Sequence, residues 1–214
     1  MIHDLIIDNF VDIMCITETW LSENETAAVS AFVPDTHIFH HFPRPSGRGG
    51  GVGIVVSKFF KFTKFFRRLY DTFECLELNL VFKNYKINIY TIYRPPNADR
   101  NVFFSEFSSF LTDSEMRNDK NFYVGDFNFW LNDLNNPYTV EFLDIVSLFS
   151  LHNYVQCSTY DSGNTLHLVI TKSDSTMINN VQVEPTNSIS GHKAVFFQIE
   201  LEVLEKNNKC NSVS

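Results

Sequence analysis

Five polar side chains of the kinds used in phosphate chemistry stand at the ends of strand-like segments. Glu18 follows one such segment, Tyr93 ends a second, Asp126 and Asn128 follow a third, and His192 precedes a fourth. Carboxylates can bind a metal ion or activate water, and a histidine can stabilise developing negative charge. Because polar groups at strand ends can converge at one rim of a sheet, the pattern allows a single shared site. Taken singly each signal is weak, since an acidic residue after a strand is more often a solvated loop residue.

Strand-like segments outnumber helical ones, and the helical ones fall between strands. Strands are predicted over 12–17, 37–42, 54–56, 73–82, 85–93, 121–124, 166–171, 177–183 and 194–201. Helices are predicted over 2–10, 101–112 and 138–149, and 22–33 is capable of forming a short one. This order favours a layered α/β protein with two packed sheets and helices outside. We expect one domain over residues 1–204 and a disordered tail over 205–214.

Composition is that of an ordinary globular domain with an unusual aromatic content. The chain has 214 residues, of which 22 are phenylalanine, and we expect these rings to fill a large core. The net charge of −8 argues against sequence-independent nucleic-acid binding, which needs lysine and arginine for phosphate contacts. It does not argue against a nuclease, because the metal cations bound by a carboxylate site offset part of the local negative charge.

Cysteine usage and the first residues indicate an intracellular protein, nuclear or cytoplasmic. None of the four cysteines forms a CxxC pair, and three lie in apolar, strand-like stretches, so we predict buried, reduced thiols. The first twenty residues carry four acidic side chains and do not resemble a signal peptide. Since no run of about 18 uncharged apolar residues occurs, no membrane span is expected.

Six short motifs occur in an order that resembles one family. They are Glu18-Thr19-Trp20-Leu21, the glycine cluster over 47–52, Tyr93-Arg94-Pro95-Pro96, Gly125-Asp126-Phe127-Asn128, the segment 165–171 and Ser190-Gly191-His192. The order and spacing are similar to those of endonucleases of LINE-type (non-LTR) retrotransposons, relatives of pancreatic deoxyribonuclease and the abasic-site repair endonucleases. The resemblance covers residues 1 to about 201. It implies a four-layered α/β sandwich, with two packed mixed β-sheets flanked by helices, and DNA as the substrate.

The resemblance also implies a role for each of the five polar residues. Glu18 matches the ligand of a hard cation, Mg²⁺ or Mn²⁺, which needs oxygen donors. Asp126 matches the aspartate that orients or deprotonates the attacking water, and Asn128 matches the asparagine that holds it. Tyr93 matches a tyrosine that contacts the phosphate. His192 matches the histidine that stabilises charge developing on the phosphate.

Three expected positions depart from the family pattern. Gly191 stands where the family has an aspartate, and His167 replaces the aspartate that orients the histidine. The family also begins with a strand carrying an active-site asparagine, and nothing before Met1 matches it, so we expect an N-terminally truncated domain with its first strand missing. In serine proteases, changing the aspartate that orients the catalytic histidine costs about 10⁴ in turnover. Losing one charge-stabilising donor costs roughly 10² to 10³. An inactive or strongly impaired relic is therefore the leading hypothesis.

Two other functions stay open at this point. The first is a working metal-dependent phosphodiesterase with a rearranged site, in which His167 could bind a transition metal, although a spare polar residue on a decayed site is the simpler interpretation. The second is a binding module for nucleic acid or protein that uses the basic aromatic segment 58–68. We favour an edge strand with blocking lysines for that segment. Trp130, just past Asn128, could pack over the site or shield its loop.

Overall fold

The computed structural model describes residues 2–22, 33–44, 49–60, 63–117, 119–186 and 191–201. In these ranges it has three helices: α1 (Ile2–Asp8), α2 (Arg100–Glu115) and α3 (Pro137–Leu148). The strands are β1 (Ile13–Thr17), β2 (His37–Phe42), β3 (Val52–Ser57), β4 (Thr63–Leu69), β5 (Glu74–Phe82), β6 (Tyr85–Tyr93), β7 (Lys120–Asp126), β8 (Leu151–Asn153), β9 (His167–Lys172), β10 (Ile178–Pro185) and β11 (Lys193–Ile199).

The central six-stranded sheet brings two chemically important strand ends together. Its order is β4-β5-β6-β7-β9-β8, and β6 and β7 are its parallel pair. A parallel pair needs a long crossover, and α2 provides it between these two strands. As a result both strands end at the same edge of the sheet, where Tyr93 lies opposite Asp126. Antiparallel pairing with β9 then places His167 on the other side of Asp126.

Phenylalanine fills the core on one face of this sheet, as the composition predicted. Helix α2 begins at an N-cap in which the Asp99 side chain accepts a hydrogen bond from the Val102 N–H at 3.0 Å. Its spacing places Phe103, Phe107 and Phe110 on one buried stripe against α3 and the sheet. These three rings are almost fully buried, so each contributes about 2–3 kcal/mol of hydrophobic stabilisation.

A second layer of strands covers the other face of the sheet. It consists of an antiparallel sheet of order β1-β3-β2 and a separate antiparallel pair, β10-β11. Both pack against one apolar cluster with side chains of β5, β6 and β9. Strand β3 is almost wholly buried, whereas β1 is half-buried along its length and β11 nearly so. Apart from β3, the second layer is therefore less buried than the middle strands of the central sheet.

The mixed α/β architecture of packed sheets and helices is confirmed, with differences in detail. The three-residue strand β8 was not predicted, because so short a segment carries no readable alternation. Cys75 is buried and Cys15 half-buried, but Cys157 is exposed in a loop, so its prediction as a buried thiol was wrong. The short helix proposed over 22–33 falls mostly outside the described residues, as do 202–214. Among the helices described, none is long and apolar enough to cross a membrane.

Candidate active site

The loop after β1 presents Glu18 to the end of β6. The Tyr93 hydroxyl donates a hydrogen bond to Glu18 Oε1 across this gap. Backbone N–H groups of Thr19 and Trp20 continue the pairing beyond β1 by donating to carbonyls of the glycine cluster, at 3.1 and 3.0 Å. Burial, with the Glu18 carboxylate as its partner, raises the pKa of Tyr93. Tyr93 is thus a neutral donor that fixes one oxygen of Glu18 and leaves the other for a ligand.

Asp126 ends β7 as a buried carboxyl group, with 2% of its surface exposed. Its Oδ1 accepts a hydrogen bond from the Asn128 backbone N–H at 3.1 Å. Burial raises the pKa of Asp126 to about 7, and the charge of Glu18 adds to the shift. A carboxyl group that titrates near neutral pH can accept a proton from water, which is the role of a general base.

The position of Asp126 depends on the glycine before it. Gly125 has a φ of +146°, and a Cβ atom there would lie 1.9 Å from the carbonyl oxygen of Ile92 on β6. No side chain fits in that space, so the two strands approach closely only because residue 125 is glycine. This approach sets the register in which Tyr93 faces Asp126.

The loop after β7 is held by a buried arginine that the sequence did not single out as functional. The Arg94 backbone N–H donates to the Asp126 carbonyl at 2.9 Å, and the Arg94 carbonyl accepts from the Asn128 side-chain amide at 2.9 Å. The Arg94 guanidinium lies 4.4 Å from the ring centroid of Phe129 and 5.2 Å from that of Phe103. Burial lowers the pKa of Arg94 to about 10, so it stays a cation at neutral pH. Asn128, in the left-handed region at φ +52°, is held by these contacts.

His167 and His192 form a hydrogen-bonded pair on the other side of Asp126. The Nδ1 atom of His167 lies 3.0 Å from the carbonyl oxygen of Lys193, and its Nε2 lies 2.7 Å from Nδ1 of His192. A carbonyl oxygen only accepts, so His167 Nδ1 carries the proton and its Nε2 is the acceptor. His192 Nδ1 is therefore the donor, and the lone pair of His192 is on Nε2.

Both imidazoles are held in their neutral form. Burial lowers the pKa of His167 to about 4, and the neighbouring imidazole adds to the effect. Burial also lowers the pKa of His192, against the opposing charge of Glu18. The backbone of His167 is fixed through its N–H, which donates to the Thr159 hydroxyl at 2.9 Å. The pair is thus well ordered but carries no positive charge at neutral pH.

The backbone conformation at residue 191 favours glycine over the aspartate expected there. Gly191 has a φ of +73°, and an added Cβ atom would lie 3.3 Å from both the Tyr160 ring and the Asp161 carboxylate. An aspartate at this position would be strained and would add charge next to Asp161. The two substitutions therefore differ: position 191 is shaped for glycine, whereas position 167 accepts a large polar side chain.

All five residues predicted from the sequence lie at one rim of the central sheet. Glu18 contacts Tyr93, Tyr93 pairs with Asp126, Asp126 bonds Asn128 and pairs with His167, and His167 bonds His192. The charge of Glu18 reaches both Asp126 and His192. The two tryptophans, Trp20 and Trp130, are more than half exposed beside this rim. Trp130 therefore does not join the core.

The second half of the basic aromatic segment, residues 63–68, lies on strand β4, two strands from the site strand β6. This strand is at the edge of the six-stranded sheet, as predicted. Arg67 lies 3.6 Å from the ring centroid of Phe42, and Arg68 forms an ion pair with buried Glu77 at 2.5 Å. Lys61 and Phe62 lie outside the described residues. Two of the cations that a nucleic-acid surface would need therefore have partners within the fold.

Solved structures of nucleic-acid enzymes share this fold. The endonuclease domain of TRAS1, a telomere-specific non-LTR retrotransposon, is 13% identical with a TM-score of 0.71, over 94% of this chain and 90% of that one. The AP endonuclease LMAP from Leishmania major is 12% identical with a TM-score of 0.73, over 94% and 82%. A variant of the 3′ phosphatase NExo from Neisseria, bound to a product DNA hairpin, is 14% identical with a TM-score of 0.67, over 92% of each chain. At these identities the likeness defines the fold.

A sequence profile gives the family. The profile of the endonuclease/exonuclease/phosphatase family matches residues 1–166, and the chain belongs to this family. Among curated proteins, none matches the chain significantly. Enzymes of the family generally depend on a divalent metal ion.

The oxygen donors at the rim fit a hard cation. Glu18 keeps one carboxylate oxygen outside its bond to Tyr93, and the buried Asp126 carboxyl group lies close enough for the charge of Glu18 to affect its pKa. Mg²⁺ is commonly bound through one or two carboxylates and keeps several water ligands. The imidazoles of His167 and His192 do not suit it, since Mg²⁺ prefers oxygen.

Proposed function

We propose that this chain is the endonuclease domain of a LINE-type retrotransposon, a DNA phosphodiesterase whose Mg²⁺-dependent activity is strongly impaired. The single observation that carries the proposal is that the side chain hydrogen-bonded to His192 is the imidazole of His167. A neutral imidazole, His167, holds His192 Nδ1 at 2.7 Å where a carboxylate would favour the imidazolium form. The retained residues argue for the ancestral reaction, and this substitution argues for its loss.

The residues that remain are suited to phosphodiester hydrolysis. Glu18 would hold Mg²⁺ or Mn²⁺, which supplies positive charge to the scissile phosphate and the leaving oxygen. Asp126, with a pKa raised to about 7, accepts a proton from the attacking water. Asn128 holds Asp126 through its backbone N–H, and Tyr93 holds Glu18. Each of these acts from a strand end or a loop fixed by the core.

The residues that changed remove charge stabilisation. A phosphate in the transition state gains negative charge, and a cationic histidine beside it would stabilise that charge. With a lowered pKa, His192 is largely neutral at pH 7 and donates its only N–H to His167. If this loss is as large as the loss of the orienting aspartate in serine proteases, turnover falls by about 10⁴.

Two observations support the retrotransposon origin. The six motifs follow the order of the LINE-type endonucleases. The retrotransposon endonuclease domain TRAS1 also aligns over 90% of its own length. DNA is the proposed substrate on the same grounds.

Nicking of supercoiled plasmid DNA in Mg²⁺ or Mn²⁺ tests the proposal. We expect the unmodified chain to nick no more than about tenfold faster than Glu18→Ala, which loses the metal ligand. We expect His167→Asp to nick at least about tenfold faster than the unmodified chain, because a carboxylate restores the imidazolium form of His192. His152→Asp, the same change at an exposed position on β8, is the matched control and should leave the rate unchanged.

The alternative is a working enzyme with a rearranged site. The raised pKa of Asp126 favours it, since a base of this strength acts without help from His192. Rapid nicking by the unmodified chain that Glu18→Ala abolishes would establish this alternative and refute the impaired domain. Equal rates for the unmodified chain and His167→Asp would show that residue 167 does not limit the reaction.

A further inference from the structure

One cluster of side chains combines two imidazoles with a carboxylate. Ligand atoms of Asp126, His167 and His192 all lie within 4.8 Å of one another. Within the residues that the structure describes, this is the one group of three or more histidine, cysteine or carboxylate side chains placed to hold a metal ion. It excludes Glu18, so it is a different donor set from the one proposed for Mg²⁺.

Secondary structure holds two of the three donors in place. Asp126 on β7 and His167 on β9 are direct partners in the antiparallel pairing of these two strands of the central sheet. His192 comes just before β11 and forms an isolated bridge with Tyr160. Strand pairing therefore fixes the backbone positions of Asp126 and His167. The ring of half-buried His192, which lies outside the central sheet, has more freedom to turn.

Hydrogen bonding prepares His167 as a ligand. Its Nδ1–H donates to the carbonyl oxygen of Lys193 at 3.0 Å, which leaves an unprotonated Nε2 directed toward the cluster. Metal-bound histidines almost always make such a bond from the other ring nitrogen to a carbonyl or a carboxylate, because it fixes the tautomer and the orientation of the ring. A spare polar residue would not need this arrangement.

The spacing of the two imidazoles is close to that of ligands on one ion. His167 Nε2 and His192 Nδ1 are 2.7 Å apart, while the ring centroids are 4.9 Å apart at an interplanar angle of 13°, so the rings meet edge to edge. Two nitrogens each about 2.0–2.1 Å from a tetrahedral Zn²⁺ would be about 3.3 Å apart. The two nitrogens must therefore separate by about 0.6 Å, and both rings must turn so that their lone pairs meet at the ion. Binding also requires the proton of His192 Nδ1 to move to Nε2 or to solvent.

We propose that Asp126, His167 and His192 form a binding site for a divalent transition-metal ion, Zn²⁺ by preference. Imidazole nitrogen suits Zn²⁺ and Co²⁺, whereas Mg²⁺ requires oxygen donors. Three protein ligands leave a fourth position open to water. The buried carboxylate of Asp126 supplies the negative charge that such an ion needs. This site goes beyond the proposed function and does not depend on it.

Occupation of this site has a direct consequence for the reaction proposed above. The ion would bind Asp126, which is the proposed base, and His192, which is the residue proposed to face the developing charge. Zn²⁺ would therefore inhibit whatever Mg²⁺-dependent nicking the chain retains. Metal binding and nicking are separate measurements, so one proposal can fail while the other stands.

Metal titration of the untagged full chain in EDTA-free buffer tests the site. The protein carries Cys157→Ser and Cys210→Ser, so that no exposed or tail thiol competes. We expect one equivalent of Co²⁺ to give visible absorption bands of a four- or five-coordinate site. Zn²⁺ should abolish the bands, and millimolar Mg²⁺ should not. Isothermal titration should give the same stoichiometry for Zn²⁺.

Variants assign the donors. His167→Ala and His192→Ala should each weaken Zn²⁺ binding at least about a hundredfold, since even an outer partner of a metal ligand is worth 10- to 100-fold. His192 is half-buried outside a central strand, so its variant should fold even if the other does not. His152→Ala on β8 is the matched control and should bind as the unmodified chain does. Glu18→Gln should weaken Zn²⁺ binding much less than either histidine variant, because Glu18 acts on the ion only through its charge and is not a donor.

Several results would overturn the site. They are the absence of Co²⁺ bands in the unmodified chain, unchanged affinity in both His167→Ala and His192→Ala, or displacement of Co²⁺ by Mg²⁺. A loss of Zn²⁺ affinity in Glu18→Gln that exceeds the loss in both histidine variants would also overturn it, because the ion would then lie at the carboxylates rather than at the imidazoles.

Discussion

The two sides of the candidate site are held by different parts of the fold. The oxygen side, formed by Glu18, Tyr93, Asp126 and Asn128, rests on the ends of β1, β6 and β7 and on the loop above buried Arg94. The nitrogen side, formed by His167 and His192, joins central strand β9 to the half-buried start of β11. The oxygen side keeps the residues that match the family's motifs, whereas on the nitrogen side His167 departs from them.

This difference shows that the backbone determines where a site residue lies, whereas its side chain determines the chemistry it can perform. Strand pairing places residue 167 opposite Asp126 whatever its side chain is, because the register comes from backbone hydrogen bonds. An imidazole could therefore replace a carboxylate without disturbing the sheet. On the oxygen side the steric limit lies at residue 125, directly before Asp126, where no side chain fits.

Gly125→Ala should have the largest effect on stability, because it disrupts the close approach of β6 and β7 on the oxygen side. The added Cβ atom would lie 1.9 Å from the Ile92 carbonyl oxygen, so β7 must move away from β6. We expect the free energy of unfolding to fall by more than about 4 kcal/mol, at the diagnostic end of single-mutant effects. Urea denaturation followed by circular dichroism measures it.

Gly163→Ala is the matched control for this change. It also has a positive φ, of +94°, but no atom lies within 4 Å of the added Cβ. Its cost is therefore backbone strain alone, about 1–2 kcal/mol. If the two variants were equally stable, the close approach of β6 and β7 would not be what positions Asp126.

The same division explains what the sequence could and could not predict. Periodicity placed the long strands and α2, because alternation and the spacing of phenylalanines are local signals. The sequence also singled out the five residues that the fold brings to one rim, since each lies at or next to a strand end within a motif of the family pattern. Arg94 was missed as a support because its role depends on the Phe103 and Phe129 rings, which reach it only in the folded chain.

The pairing of His167 with His192 also lay beyond the sequence. The two residues are 25 positions apart, and nothing in their spacing gives the tautomer, which follows from the Lys193 carbonyl. The sequence identified residue 167 as changed but could not distinguish a spare polar group from a metal ligand. The missing first strand stays a prediction.

Asp126→Asn should change how the stability of the protein depends on pH, and so distinguish the oxygen side from the nitrogen side. The pKa of Asp126 is raised from 3.8 to about 7, so between these values the folded state holds a proton that the unfolded state has lost. Stability therefore falls in this range as pH rises, and asparagine removes the effect. From pH 5 to pH 8, the variant should gain about 2–3 kcal/mol relative to the unmodified chain, at about 1.4 kcal/mol per pH unit. Asp144→Asn, at an exposed position on α3, should gain nothing.

His167→Gln should show the smaller effect, with the opposite sign. The pKa of His167 is lowered from 6.5 to about 4, so in this range the unfolded state binds the extra proton and stability falls as pH falls. In EDTA, the unmodified chain should lose about 1–2 kcal/mol relative to His167→Gln between pH 7 and pH 5. His152→Gln, exposed on β8, should follow the unmodified chain. If removing His167 left the acid-side slope unchanged, the imidazole would not be held neutral by burial. The tautomer that makes its Nε2 a ligand would then lose its physical basis.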